Sequence, residues 1–359
     1  MRGVEVLGGL IRRPGTRGRR PRDPPSERPS VNGFEALSFH GIPDSPSIPP
    51  PPEPSLDPRR WRMDLETFLV SLFVLVNDRV SDTRSREPKS KRGRPTLLSE
   101  SEVLTLASLC QWPRFRSERD FWRFADTYLR SYFPGLLSQS QLNRRIRALE
   151  PELKTLQRDL AATLADGAEV YHVLDTTLVP AVVSVRACRK GLFARQAAFG
   201  RCVSKTEWVY GFKVALSVSS SGVVTAFGLA EANSDERPIG EFLVSSDGHY
   251  AFLADKGFSS VEQEKHWLEP YGALVAATPQ ESVRRAWPEK AQRWAAGKRQ
   301  LIEGVIGQLK DLFALERHRA KTLEGLPTRL AAKIAAYTCG QCLNARLGRP
   351  LRYLADLLV

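Results

Sequence analysis

The segment EVYHVLDTT, residues 169–177, has the composition of a buried β-strand that ends at an aspartate. After Glu169, apolar, aromatic and β-branched residues dominate positions 170–174, and Asp175 follows them directly. A second such segment, residues 250–254, is followed by Asp255. If the two strands are parallel neighbours, their ends lie about 4.8 Å apart. Open α/β sheets place their sites at such carboxyl ends, so the two aspartates predict a functional site there.

The chemistry of this aspartate pair points to a divalent cation. Two carboxylates held so close repel each other, and a hard cation such as Mg²⁺ or Mn²⁺ neutralises them. A structural interpretation remains open, because a single aspartate at the end of a strand commonly caps the turn that follows it.

The surrounding pattern predicts the rest of an α/β sheet. Two β-rich segments flank the turn-forming residues 219–222 and predict a hairpin, and Asp235 predicts the N-cap of a helix. Further segments predict two helices, at 261–268 and 291–315, and a strand at 273–277. The order β, β, β, α, β, α, β, α indicates a mixed sheet flanked by helices, which is the RNase-H-like layout.

A third carboxylate comes from the last of these helices. At about 100° per residue, Arg299, Glu303 and Lys310 fall within about 40° of one another, apart from a broad apolar arc. Glu303 is therefore predicted on a polar stripe beside the buried face, where it could reach the sheet edge. The alternative is an ordinary surface pair between Arg299 and Glu303.

Residues 61–166 predict a small helical domain. Apolar residues recur at helical spacing from 64 to 80, Ser99 and Glu102 form a capping-box signature, and Ser117 opens another helix. A long helix is predicted at about 140–164. Its beginning carries Arg144 and Arg145, which suits a helix-turn-helix whose third helix enters the DNA major groove. A helical spacer with a solvated basic face is the alternative.

The mixed sheet and its helices are predicted to form a second domain at residues 167–345, and the remaining segments are predicted to lie outside the two domains. Residues 1–60 contain 13 of the 25 prolines without an apolar period, which predicts a disordered extension, and residues 346–359 are predicted to be a tail. Arg92 and Arg94 flank a glycine, as in an AT-hook that lies in a narrow minor groove. A flexible basic linker is the alternative there.

Composition narrows the class of partner. The formal net charge is +13, and such an excess of cations favours nucleic acid, although a generally basic proteome would also produce it. No apolar stretch approaches the length of a membrane span and no secretory signal is evident, so a cytoplasmic location is expected. Cys339 and Cys342 form a single CxxC in a helical pattern, which favours buried cysteines over a zinc site.

Several motifs resemble the DDE transposases of bacterial insertion sequences. The matching pieces are LDTT at 174–177, YGFK at 210–213, ANSDER at 232–237, ADKGF at 254–258, and Arg299 with Glu303 and Lys310. They cover about residues 170–345, and residues 65–149 are also similar to such proteins. The family usually has a tyrosine three residues before the arginine, whereas this chain has Ala296.

The resemblance implies a DNA transposase in which Asp175, Asp255 and Glu303 bind two Mg²⁺ or Mn²⁺ ions. Water or a DNA 3′-hydroxyl would then attack a phosphodiester, giving cleavage and strand transfer. Its partners would be double-stranded DNA, as terminal inverted repeats and target, and a second copy of the chain. The location implied is the nucleoid of a prokaryotic cell.

The same resemblance places four cations near the reacting phosphates, where they would neutralise charge: Lys213, Lys256, Arg299 and Lys310. Each lysine could equally be a solvated surface charge. An RNase-H-like nuclease or resolvase that cuts without joining, and an inactive transposase-derived DNA-binding protein, remain the alternative functions.

Overall fold

The computed structural model describes residues 6–7, 10–11, 62–86, 96–165, 169–182, 191–194, 196–202, 206–249, 251–279 and 287–358. Its strands are β1 Val6–Leu7, β2 Leu10–Ile11, β3 His172–Pro180, β4 Ala198–Cys202, β5 Glu207–Ser219, β6 Val224–Glu231, β7 Ala251–Ala254 and β8 Leu274–Ala277. Its helices are α1 Leu65–Arg86, α2 Glu100–Leu109, α3 Glu118–Tyr128, α4 Gln139–Ala148, α5 Glu150–Leu164, α6 Glu236–Asp247, α7 Val261–Tyr271, α8 Glu289–Asp311 and α9 Gly325–Arg346.

The sheet has the order β6-β5-β3-β7-β8 at its centre. The pairs β6–β5 and β5–β3 are antiparallel, whereas β3–β7 and β7–β8 are parallel. Helices α6 and α7 form the crossovers that parallel strands require. This arrangement confirms the predicted α/β, RNase-H-like mixed sheet flanked by helices.

Strand β3 is longer than its sequence pattern predicted. The pattern placed its end at 174, but the strand continues to Pro180, so that prediction of the boundary was wrong. The cause is a tertiary contact, because every residue of β3 pairs with a residue of the longer strand β5. The pairing runs from His172 opposite Ser219 to Pro180 opposite Gly211. Asp175 therefore lies inside the strand, where pairing on the β5 side fixes its backbone.

Two apolar layers cover the two faces of the sheet. On one face Leu174 and Phe252 pack with residues of α6 and α7, including Ile239 and Trp267. On the other face Val173 and neighbouring strand residues join the helices α1–α5, α8 and α9 in one larger core. The helical region and the sheet thus share a continuous core.

Aromatic contacts mark this shared core. The Trp112 ring lies 4.7 Å from Phe68 and 5.5 Å from Phe313, which in turn contacts Tyr337 at 6.0 Å. Cys339 and Cys342 are buried in α9, which confirms the prediction of buried helical cysteines. Burial raises the pKa of the Cys342 thiol to about 11, so this thiol is protonated near neutral pH.

Two helices of the helical region begin where their polar signals predict. Ser99 and Glu102 form the reciprocal capping box of α2, and the Ser117 hydroxyl accepts a hydrogen bond from the Asp120 N–H at the start of α3. The single long helix predicted at 140–164 is wrong, because it is divided into α4 and α5 at Leu149. Pro151 cannot donate to the preceding turn, which explains the division.

The two ends of the chain pack differently from their predictions. Strand β2 pairs in parallel with β6, whose outer edge offers unpaired backbone groups, so residues 10–11 depart from the predicted disorder. The rest of residues 1–60, apart from β1, lies outside the described residues, as do Arg92 and Arg94. Near the other end, Leu358 forms a bridge with Met63 and Leu357 is buried.

Within the described ranges, no helix combines the length and the apolar character needed to cross a membrane.

Candidate active site

The centre of the site is the junction of β3 and β7. Leu174 and Ala254 are direct partners in the parallel ladder, so Asp175 and Asp255 follow side by side. The Asp175 side chain accepts a hydrogen bond from the Thr176 N–H at 2.7 Å, and Asp255 accepts one from the Lys256 N–H at 2.7 Å. Asp255 also caps the short 3₁₀ turn Lys256–Phe258. The capping interpretation and the paired-carboxylate interpretation therefore both describe Asp255.

Asp175 is the perturbed member of the pair. Burial raises the pKa of its carboxyl to about 6, against the lowering effects of the Thr176 N–H and the Arg299 guanidinium. The neighbouring carboxylates of Asp255 and Glu236 raise the pKa further. The charged form is thus poorly compensated by the protein alone, and a bound cation would stabilise it.

Helix α8 supplies a cation to this pair. It packs beside β3 and β7, and the Arg299 Nη1 atom lies 3.0 Å from Asp255 Oδ1. The ion pair is partly exposed, with 20% of the arginine side chain and 35% of the aspartate side chain accessible. Arg299 therefore compensates Asp255 directly and Asp175 at longer range.

Glu303 does not join the two aspartates in this arrangement. It lies one turn beyond Arg299, about 6 Å along the helix axis at 1.5 Å per residue, and it is exposed. Searching the described ranges finds no group of three or more histidine, cysteine, aspartate or glutamate residues that could hold a metal ion. The structure thus brings together two of the three predicted carboxylates and leaves the third nearby on α8.

A different carboxylate, Glu236, contributes to the site and was missed as a functional residue. The Thr176 hydroxyl donates to Glu236 Oε1 at 2.8 Å, and Lys213 Nζ donates to the same oxygen at 3.1 Å. A Cβ atom on Gly257 would lie 1.7 Å from Glu236 Oε2, so the glycine leaves room for this carboxylate. The available signal was the ANSDER motif, in which Asp235 was correctly interpreted as the cap of α6.

Comparison with known proteins finds one family model that matches part of the chain. Residues 166–323 match the family model of the transposase DDE domain. This segment of the chain is thus similar to the transposase DDE domain. Curated proteins give no match of significance. Among solved structures, the Mos1 mariner paired end complex with Mn is similar at 12% identity and a TM-score of 0.20, covering 78% of this chain and 97% of that one.

The DDE site comprises Asp175, Asp255 and the predicted third carboxylate Glu303. The lysines predicted around it differ in exposure and in the partners of their side chains. Lys256 is exposed and has no side-chain partner within the described residues. Lys310 forms an ion pair with Glu316 at 2.8 Å. Lys213 is only 12% exposed and donates to both the Ser234 carbonyl and Glu236, so its geometry supports a positioning role inside the domain.

The two arginines predicted to contact DNA from the helical region differ in solvent exposure. Arg144 is exposed on α4, whereas Arg145 is half-buried. The Nε atom of Arg145 is buried and has no hydrogen-bond partner within the described part of the chain. Of the two side chains, Arg144 is the one that can meet a DNA groove without rearrangement.

The donor set of the DDE site suits a hard divalent cation. Asp175 and Asp255 offer carboxylate oxygens on adjacent strands, and oxygen is the ligand type that Mg²⁺ and Mn²⁺ prefer. The raised pKa of Asp175 indicates a carboxylate that lacks sufficient positive charge nearby. These two residues fit such an ion, and Glu303 is the predicted third carboxylate, exposed on α8.

Proposed function

We propose that the protein is a DNA transposase of an insertion sequence, which cleaves phosphodiester bonds and joins DNA strands at the ends of the element. The observation that supports this most directly is the register of β3 and β7, which sets Asp175 beside Asp255 within a transposase DDE domain. Phosphodiester transfer requires negative charge to be held and neutralised at one place. The proposal assigns that place to the end of β7 and the middle of β3.

Each residue of the site has a distinct part in this proposal. Asp175, Asp255 and Glu303 would hold the divalent ions, whose chemistry would be activation of the attacking water or 3′-hydroxyl and stabilisation of charge on the leaving oxygen. Arg299 keeps the Asp255 carboxylate in place through their ion pair. Lys256, which is exposed next to Asp255, neutralises a phosphate of the bound strand.

A hydrogen-bond network on the opposite face of the sheet supports the strand that carries Asp175. Thr176 follows Asp175 and is tied to Glu236, and Glu236 is tied to Lys213. Because the side chains of neighbouring strand residues point to opposite faces, this network fixes β3 without occupying the face on which Asp175 lies. A rigid support of this kind maintains the ligand geometry that catalysis needs.

The proposed DNA partners are the terminal inverted repeats of the element and a target duplex. Two element ends must be processed together, so the proposal includes a homodimer on DNA. Arg144, exposed on α4, contacts the repeats in this scheme, together with Arg145. A double change of both residues to alanine should weaken binding to the repeats and lower its dependence on salt, because cationic contacts release counterions.

The test is an incubation of the purified protein with Mg²⁺ and a labelled linear duplex that carries the element end found beside the gene. Wild-type protein is expected to give both nicked and joined products. The matched control is Asp255→Asn, which keeps the shape of the side chain and removes its charge, and it should reduce both products by orders of magnitude.

The product pattern separates the proposed function from its alternatives. Nicked DNA without joined DNA would indicate a nuclease or resolvase. Binding without any product, unchanged by Asp255→Asn, would indicate an inactive DNA-binding descendant. Cleavage by Asp255→Asn at the wild-type rate would show that the carboxylate assignment is wrong.

A further inference from the structure

A cleft outside the DDE site separates the helical region from the segment that follows α8. Its volume is about 840 Å³. One wall is formed by α3, α4 and the residues before α3, and the other by residues 311–333. No residue of the DDE site described above lines it.

The walls of this cleft are strongly cationic. The described lining residues include eight arginine or lysine side chains and two carboxylates, Glu118 and Asp311. Glu118 is already compensated by Arg329, whose Nη2 atom lies 2.7 Å from Glu118 Oε2. Six of the cations make no ion pair or side-chain hydrogen bond with the described chain: Arg116, Arg119, Arg147, Arg317, Arg319 and Lys321.

All six of these side chains are also exposed. Uncompensated cations gathered around one cleft repel each other, which destabilises the protein unless an anionic partner binds there. The arrangement therefore points to a ligand with several negative charges, distributed across both walls.

The loop of residues 314–322 is held in a fixed conformation that presents three of the cations. Ala314 and Arg319 have φ angles of 50° and 55°. Residues other than glycine rarely adopt this left-handed backbone conformation. Between them, buried His318 contacts the Pro180 carbonyl through Nε2 at 3.0 Å and accepts from the Ala320 N–H through Nδ1 at 3.0 Å. Backbone strain of this kind persists where surrounding contacts impose it, often at functional sites.

The His318 contact also links the loop to the DDE site. Pro180 is the last residue of β3, and Asp175 lies five residues earlier on the same strand. At about 3.3 Å per residue, this separation is about 17 Å. About five base pairs of B-DNA cover the same distance at 3.4 Å each, so one duplex can reach both places.

We propose that this cleft binds the phosphate backbone of duplex DNA and holds the duplex whose phosphodiester lies at Asp175 and Asp255. The proposal rests on the proposed transposase function and deepens it by assigning the surface that carries the DNA. Its contacts are with phosphates, so they add affinity and orientation rather than base specificity. Arg317 and Lys321 act from the loop, while Arg119 and Arg147 act from the helical wall.

The test measures binding of a labelled duplex of arbitrary sequence, since backbone contacts do not depend on sequence, at several salt concentrations from about 50 to 200 mM. Two variants remove cations from opposite walls: Arg317→Ala with Lys321→Ala, and Arg119→Ala with Arg147→Ala. The matched control is Arg158→Ala with Lys265→Ala, which removes two exposed charges from α5 and α7 outside the cleft.

Each cleft variant is expected to reduce the slope of log K against log salt by up to about 1.8, at about 0.9 per phosphate contact. The control should keep the wild-type slope and thermal midpoint, and the cleft variants should have a thermal midpoint at or above that of wild type, because losing cations relieves their repulsion. Slopes equal to wild type in both cleft variants would overturn the cleft assignment alone, leaving the proposed function intact. Wild-type protein that does not bind duplex DNA at any of these salt concentrations would overturn both.

Discussion

The two aspartates of the site differ in one property that can be measured without substrate. Asp175 is half-buried and its pKa is raised to about 6, whereas the Asp255 side chain is 35% exposed and pairs with Arg299. We therefore expect Asp175→Asn to stabilise the metal-free protein above neutral pH. The reason is that the ionised carboxylate opposes folding, and asparagine keeps its shape without its charge.

The structure gives both the sign and the size of this effect. The pKa of Asp175 is raised from 3.8 to about 6, and one pKa unit corresponds to about 1.4 kcal/mol. The cost of the charge is absent below pH 3.8, grows as the pH rises, and is complete above about 6. At about pH 8 it amounts to about 3 kcal/mol, which Asp175→Asn should recover in the free energy of unfolding.

The assay is urea unfolding in the presence of a chelator, at about pH 8 and about pH 4. Asp159→Asn on α5 is the control, because it removes a carboxylate that has no polar partner within the described residues. Adding Mg²⁺ should raise the stability of wild-type protein and not that of Asp175→Asn, since only the former keeps the full ligand set. A variant less stable than wild type at about pH 8, or an equal gain at both pH values, would refute the reasoning.

Three other changes test the surroundings of the site. Glu236→Gln should weaken the contacts of Glu236 with Thr176 and Lys213, so cleavage should fall by more than about tenfold while DNA binding is retained. Unchanged cleavage would show that Glu236 does not support the site. Gly257→Ala should cost about 1–3 kcal/mol in urea unfolding through its clash with Glu236, and combining it with Glu236→Ala should recover much of that loss; a loss that persists in the double variant would place the clash elsewhere. His318 has a pKa lowered by burial to about 4, so the stability of wild-type protein relative to His318→Gln should fall by about 3 kcal/mol as the pH falls from 6.5 to about 4. A difference between the two proteins that does not change with pH would contradict this.

Patterns set by one strand or one helix were predictable from the sequence. The hairpin, the capping of α2 and α3 and the N-cap at Asp235 all rest on local chemistry. The adjacency of Asp175 and Asp255 was also predictable, because parallel strands in an α/β sheet end at the same edge. These features depend on short-range preferences that tertiary contacts reinforce.

Features set by partners distant in sequence were not predictable in this way. The extension of β3 to Pro180 depends on pairing with β5, and the role of Glu236 depends on Thr176, sixty residues earlier in the chain. Likewise, Arg299 was expected at a phosphate, and the structure shows it bound to Asp255. The sequence contained each residue, but only the fold reveals which carboxylate each cation meets.

The sheet explains how one strand can serve the site from both faces. Asp175 faces the layer that contains α8, while the next side chain, Thr176, reaches Glu236 on the opposite layer. A shift of β3 by one residue would exchange these faces and separate Asp175 from Asp255. The bond from Thr176 to Glu236 opposes that shift, and the nine paired positions with β5 oppose it further. Glu236 therefore acts on the register of the strand, which is why its removal should affect cleavage without touching DNA.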